Sequence, residues 1–184
     1  MFMHVNARKI TFLGLLLAIN VSLLVLGGII ETSTLFFIAA GAFCVGIVVR
    51  EYGIIWGGSY LAAGVLLGFM LAPNKIYCIT YLIMSLYILL SEIVWLLLCK
   101  RQGLQNNLNI ANVIFWILRY IIFNILYIPL LFLIPSLFFS ENVSTGLLAA
   151  AIAVGQLGLL LFEKGYCYFQ AKIWSRFRKL LDLS

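Results

Sequence analysis

The chain has 184 residues, of which 65% are hydrophobic and only 10% are charged. A soluble globular domain cannot cover its surface with so few polar side chains, so the composition indicates an integral membrane protein. The net charge of +6 does not point to nucleic acid, because most basic residues lie beside the ends of apolar segments, where they set membrane orientation and meet anionic lipid headgroups.

Six apolar stretches follow one another along the chain, each long enough or nearly long enough to cross a hydrocarbon core of about 30 Å. Because lipid offers backbone groups no hydrogen-bond partners, each stretch is predicted to be a helix. The predicted fold class is all-α, a polytopic membrane protein in a single domain. Its spans are expected at 10–30, 34–49, 53–72, 76–99, 110–138 and 143–163. The polar loop at 100–109 divides the chain into a four-helix part and a two-helix part.

Charged residues between the stretches predict the orientation of the chain. Basic residues mark the cytoplasmic side of a membrane protein. Arg8, Arg50, Lys100 and the basic run at 164–179 fall on one side, whereas the breaks on the other side carry Glu31, Lys75 and Glu141. The protein is therefore expected in the plasma membrane, with both termini in the cytoplasm.

Small residues recur at every fourth position of the first helix, at Gly14, Ala18 and Ser22. Such a stripe allows the backbones of two helices to approach closely in lipid. It serves either packing inside the bundle or, if it faces outward, docking of a partner.

Polar residues inside membrane spans are costly unless they are paired or hydrated. Glu92 on the fourth helix and Arg119 on the fifth lie at similar depths, so an ion pair between these consecutive helices is predicted, either as a structural contact or as a contact that breaks when the protein changes state. Asn20, Asn124 and Gln156 are expected to form hydrogen bonds between helices.

Two prolines, Pro129 and Pro135, predict a kink in the outer half of the fifth helix. Neighbouring helices either accommodate this bend, or it opens a cavity toward the outer face. Polar side chains near that level form a candidate ligand site, although tyrosines there equally fit an aromatic belt. The candidates are Asn74, Lys75, Tyr81, Tyr127 and Asn142.

The tail at 166–183 has a different, amphipathic pattern, which predicts a helix in the membrane interface. Its basic side would face the cytoplasm and anionic lipid, or an acidic partner. One arc of the helical wheel carries the apolar residues Phe169, Ile173, Trp174, Phe177, Leu180 and Leu181.

The sequence indicates no catalytic, cofactor or metal chemistry. Its four cysteines lie far apart in the sequence, and its one histidine, His4, precedes the first span. These residues do not form the spacing of a zinc site, and no nucleophile and base can be assembled. The protein is therefore expected not to be an enzyme and to hold neither a metal nor a cofactor.

Six helices in about 180 residues, with both ends inside and a small-residue stripe on the first helix, resemble the substrate-binding S component of an energy-coupling factor (ECF) transporter. In that family an A-x-x-x-A pattern on the first helix docks on a membrane-embedded T component. Gly14, Ala18 and Ser22 hold the matching places here, with glycine and serine at two of them.

This resemblance implies a subunit that captures a small vitamin-like solute at its outer face. A T component and two ATPase subunits would be its partners. The alternative is a structural or assembly scaffold of the membrane, similar to the rod-shape MreD family, whose helices only present surfaces to partners.

Overall fold

A computed structural model of the protein describes residues 7–100, 108–133 and 145–180. Within these ranges all regular structure is helical, and six of the helices are long and apolar enough to cross a membrane. The protein is thus an all-α polytopic membrane protein, as predicted. The helices are α1 (Ala7–Ile29), α2 (Thr34–Tyr52), α3 (Ile54–Leu71), α4 (Lys75–Lys100), α5 (Leu108–Leu133), α6 (Thr145–Tyr168) and the short α7 (Ser175–Leu180).

The single predicted domain divides into two compact units, Met1–Ile93 and Val94–Ser184. The first contains α1 to α3 and most of α4, and the second contains the end of α4 with α5 to α7. This division falls close to the predicted boundary between a four-helix part and a two-helix part. We describe each unit separately.

Short turns join the helices of the first unit. Gly53 connects α2 to α3 with a φ of 91°, a backbone conformation that residues with a Cβ rarely adopt. At the opposite end of these helices, Thr34 donates its hydroxyl to the carbonyl of Gly27 at 2.8 Å, which ties the start of α2 to α1. The α2 helix packs in the interior of the unit, because its residues from Cys44 to Val49 are all buried.

In the second unit, α5 continues through Pro129, so this proline does not end the helix, and Pro135 lies outside the described residues. After α6 the chain forms a π-helical segment, Phe169–Trp174, and then α7. The sixth span and the predicted interfacial tail are therefore one continuous helical stretch from Thr145 to Leu180. A π-helical segment is rare and often lies at a functional site.

Candidate functional site

The interior of the first unit is organised around a polar contact between α1 and α4. Asn20 donates its Nδ2 to the hydroxyl of Tyr81 at 2.6 Å, and both residues are fully buried. Nearby, the hydroxyl of Tyr60 on α3 donates to the backbone carbonyl of Leu16 on α1 at 2.9 Å. These bonds join three helices through groups that would otherwise be unsatisfied in an apolar interior.

Two glycines make room for this contact. A Cβ on Gly41 of α2 would stand 2.6 Å from Asn20 Oδ1, and a Cβ on Gly64 of α3 would stand 2.7 Å from the Tyr81 hydroxyl. All four helices of the unit thus converge on the Asn20–Tyr81 bond. Asn20 Oδ1 itself and the hydroxyl of Ser85 on α4 are buried without a hydrogen-bond partner among the described residues.

Charged and aromatic groups gather at the end of the first unit where α2 meets α3. Arg50 binds both carboxylate oxygens of Glu92, with distances of 3.0 and 2.7 Å, which is the bidentate geometry of a strong ion pair. The arginine side chain is 42% exposed and the glutamate only 3%. Lys9 places its ammonium 4.7 Å from the ring centre of Tyr52 and 3.7 Å from that of Trp56, in cation–π contact with both.

The second unit contains its own buried ion pair. Arg119 on α5 donates to the carboxylate of Glu163 on α6, and both side chains are almost fully buried. The guanidinium also lies over the ring of Phe115, 4.3 Å from its centre. Its Nε is buried without a hydrogen-bond partner in the described part of the chain.

The predicted pairing of Glu92 with Arg119 joins residues of the two different units, and it stays a prediction. The prediction rested on the need to neutralise both charges inside the membrane. Within its own unit each charge has an ion-pair partner: Arg50 for Glu92 and Glu163 for Arg119. In the sequence, Arg50 indicates only the orientation of the chain, and Glu163 is the last residue of the predicted sixth span.

A row of polar contacts continues between α5 and α6. Gln156 donates to Asn124 Oδ1 at 2.9 Å, and the Tyr127 hydroxyl donates to the carbonyl of Ala151 at 2.8 Å. In these contacts and in Arg119–Glu163, the residue number increases along α5 while the number of its partner on α6 decreases. They therefore fix an antiparallel register. The Gln156–Asn124 bond, and the Asn20–Tyr81 bond of the first unit, confirm the predicted hydrogen bonding of these three amides between helices.

The predicted ligand residues have different environments. Tyr81 faces the interior of the first unit and is occupied by Asn20, so it is not a free outer-face group. Asn74 accepts a hydrogen bond from the backbone N–H of Ile76 at 3.0 Å, and the exposed Lys75 donates to the carbonyls of Phe69 and Ala72. Tyr127 belongs to the second unit, where its hydroxyl donates a hydrogen bond to the backbone carbonyl of Ala151. Asn142 lies outside the described residues.

The small-residue stripe of α1 is exposed. Gly14, Ala18 and Ser22 are all exposed, and no heavy atom of the described residues stands within 4 Å of where a Cβ on Gly14 would be. The buried positions of α1 are instead Leu16, Asn20, Val21, Leu24 and Gly27. The stripe thus makes no close packing contact at Gly14.

The tail has a different exposure from the predicted one. Trp174, assigned to the lipid-facing arc, is buried together with Gln170, whereas Ile173 and Phe177 are exposed as predicted. Leu181 lies outside the described residues. Spacings of three and four residues place Glu163, Tyr166, Gln170 and Trp174 on one buried side of the helical stretch.

No known protein family matches this sequence, and no curated protein or solved structure shows significant similarity to it. Within the described residues, no group of three histidine, cysteine, aspartate or glutamate side chains is placed to bind a metal ion. The candidate functional features are therefore those that the geometry itself provides: the buried Asn20–Tyr81 contact, the two ion pairs, the exposed stripe and the tail.

Part of this geometry could have been found in the sequence. Glu163 is a charge at the end of an apolar segment, and the antiparallel arrangement of the last two spans brings that end near the depth of Arg119. No comparable sequence pattern indicates the contact of Lys9 with Tyr52 and Trp56, because it depends on how the α2–α3 turn packs against the start of α1.

Proposed function

We propose that this chain is the solute-binding membrane subunit of an ECF-type uptake transporter, docking on a T component that is driven by two ATPase subunits. The observation that carries the proposal is the exposed stripe of Gly14, Ala18 and Ser22 on α1. Small residues at four-residue spacing are typical of interfaces between membrane helices. In this proposal the stripe receives a helix of the T component.

The proposal places the protein in the cell membrane with both termini in the cytoplasm. Lys9 and Arg50 support this orientation, because they lie at the same end of the first unit through their contacts with the α2–α3 region and Glu92. Gly28 near the end of α1, Pro73 after α3 and Lys75 at the start of α4 lie at the opposite end of the first unit, which would face outward.

In this proposal a small vitamin-like solute binds at the outward end. Lys75 is its first candidate contact, because its ammonium is exposed and could bind a carboxylate or phosphate of the solute. Asn74 is adjacent and partly exposed. Tyr81 would contribute only by exchanging its bond with Asn20, and Tyr127 by releasing the Ala151 carbonyl. Asn142 stays a sequence-based candidate.

The docking part is tested by comparing Ala18→Leu with Ala42→Leu. Ala18 is exposed, whereas Ala42 on α2 is fully buried, so the two variants add the same volume in opposite environments. We expect Ala18→Leu to leave the melting temperature of the free chain unchanged and to abolish co-purification with T and ATPase subunits. Ala42→Leu should destabilise the free chain by about 1–3 kcal/mol through overpacking. An Ala18→Leu chain that is destabilised but still binds its partners contradicts the proposal.

The solute part is tested by mass spectrometry of small molecules that stay bound to the purified full chain. A single retained compound, lost in Lys75→Gln but kept in Lys164→Gln, supports the outward site. Lys164 is also exposed but belongs to the cytoplasmic run, so its replacement controls for the loss of one charge. Retention that is equal in both variants would contradict the role of Lys75.

The alternative function, a membrane scaffold similar to the MreD family, has one observation in its favour. The polar groups in the centre of the first unit, Asn20, Tyr60 and Tyr81, are used to join helices to each other. An interior organised in this way suits a protein that only presents surfaces. A chain that retains no solute and binds no T component, but binds other membrane proteins through α1, would favour this alternative.

A further inference from the structure

The helical stretch that begins with α6 is longer than a membrane is thick. From Thr145 to Phe162 it carries no charged residue, and these residues span about 27 Å, close to the thickness of the hydrocarbon core. From Glu163 the same stretch continues to Leu180 for about another 27 Å. This second half therefore begins at the headgroup region, where basic side chains meet lipid phosphates.

Two rows of exposed side chains lie next to each other on this second half. Lys172 and Arg176 form a basic row at four-residue spacing, and Ile173 and Phe177 form an apolar row displaced by one residue. Ile173 is 39% exposed and Phe177 54% exposed. Because Gln170 and Trp174 occupy the buried side, neither row is part of the internal packing.

The charge of this segment has one sign. From Lys164 to Arg178 the sequence contains four basic residues and no acidic residue. Lys172 is in cation–π contact with the Tyr168 ring at 5.3 Å, which holds its ammonium near the helix surface, and the apolar row lies directly beside it. A neighbouring surface that is both negatively charged and apolar would complement the two rows.

We propose that the Lys172–Arg176 and Ile173–Phe177 rows bind anionic phospholipid in the leaflet at the end of the sixth span. The basic row contacts the lipid phosphates and the apolar row inserts among the upper acyl chains. An anionic bilayer has phosphates at its surface and acyl chains beneath them, so it can contact both the basic row and the apolar row. The charge complementarity and the continuity with the span favour lipid over an acidic protein, because the segment begins directly where the sixth span leaves the hydrocarbon core.

The test uses the full chain with Cys99→Ser, so that Cys167 is the accessible thiol among the described cysteines. The thiol carries a fluorophore, and the chain is reconstituted in phosphatidylcholine vesicles that contain a nitroxide-labelled lipid. This lipid is either phosphatidylglycerol or phosphatidylcholine at the same mole fraction. We expect quenching by phosphatidylglycerol to be about threefold stronger or more, and to approach that of phosphatidylcholine at high salt.

The Lys172→Gln, Arg176→Gln double variant should lose this preference. The matched control, Lys172→Arg with Arg176→Lys, changes the same positions, keeps both charges and should keep it. All four replacements are at exposed helical positions and use good helix formers, and an unchanged circular dichroism melt verifies folding.

Equal quenching by the two lipids in the parent chain overturns the proposal and leaves an acidic protein as the partner of this surface. A preference that survives in the Lys172→Gln, Arg176→Gln variant also overturns it, because the anionic lipid would then be bound by other residues. Neither result depends on whether the chain transports a solute.

Discussion

Asn20 and Tyr81 form a hydrogen bond of 2.6 Å between the first and fourth helices, and neither side chain is exposed. Gly41 and Gly64 leave the space in which this bond forms. In an apolar interior a polar pair of this kind gives the helices one favourable rotational setting, because any other setting would bury the amide or the hydroxyl without a partner. The bond therefore links the packing of all four helices of the first unit.

Removing the Tyr81 hydroxyl should destabilise the first unit. Tyr81→Phe leaves the Asn20 amide buried without this partner, at a cost of about 1–3 kcal/mol in the free energy of unfolding. Replacing both residues, Asn20→Leu with Tyr81→Phe, removes the orphaned amide and should recover part of the loss. Thermal unfolding in detergent measures the loss of stability in the single and in the double variants. Strictly additive losses would mean that the two side chains do not interact in the folded protein.

The Arg50–Glu92 pair should respond asymmetrically to the loss of either partner. Arg50→Ala leaves a carboxylate that is 3% exposed, whereas Glu92→Ala leaves an arginine that is 42% exposed and can reach water. The arginine variant should therefore lose more stability, up to about 3–5 kcal/mol, and the glutamate variant clearly less. Melting curves of the two variants and of Arg50→Lys provide the comparison. Equal losses of stability in the two alanine variants would show that access to water does not lower the cost of leaving the Arg50 charge unpaired.

Arg119 and Glu163 should show strong coupling in a double-mutant cycle. Each single alanine variant leaves a buried charge, for which the expected loss is about 3–5 kcal/mol. The double variant removes both charges and should be more stable than the sum of the single losses predicts, by about 1 kcal/mol or more. Phe115→Leu serves as a milder control, because it removes the cation–π contact and keeps the ion pair. A coupling near zero would reject Glu163 as the partner of Arg119.

Two glycines on α6 offer a matched pair of substitutions. A Cβ on Gly155 would stand 2.5 Å from the ring of Tyr127, whereas no atom of the described part of the chain lies within 4 Å of a Cβ on Gly158. Gly155→Ala should therefore cost about 1–3 kcal/mol of stability through overpacking, and Gly158→Ala should be neutral or slightly stabilising because alanine favours the helix. Thermal melts of the two variants decide the matter. Similar melting temperatures would argue against close packing of α5 on α6 at this position.

The orientation of the chain is tested with thiol reagents that do not cross membranes. Cys99 and Cys167 are exposed, and both lie near the ends assigned to the cytoplasm. We expect them to react only after the cells are permeabilised, and a cysteine at the exposed position 76 (Ile76→Cys) to react in intact cells. The reversed pattern would place both termini outside.

The sequence by itself determined the helical class, the approximate bounds of the spans and the need of certain polar residues for partners. These follow from local physics: hydrophobic length sets a span, lipid requires its backbone to be helical, and a buried amide requires a hydrogen bond. The interhelical bonds of Asn20 and Gln156 were predicted on that basis. Glu92 and Arg119 are likewise predicted to need partners, and each has one inside its own unit.

Only the tertiary structure decided which groups meet. Positions that face lipid and positions that face other helices are both apolar, so hydropathy does not reveal how a span is rotated about its axis. For this reason the sequence places Tyr81 in a ligand site near the outer face, although it faces Asn20 in the interior. It likewise places Trp174 on the lipid-facing side of the tail, although Trp174 is buried. Helix rotation and register also selected Arg50 for Glu92, because ion pairing depends on where side chains lie in space and not on how close their helices are in the chain.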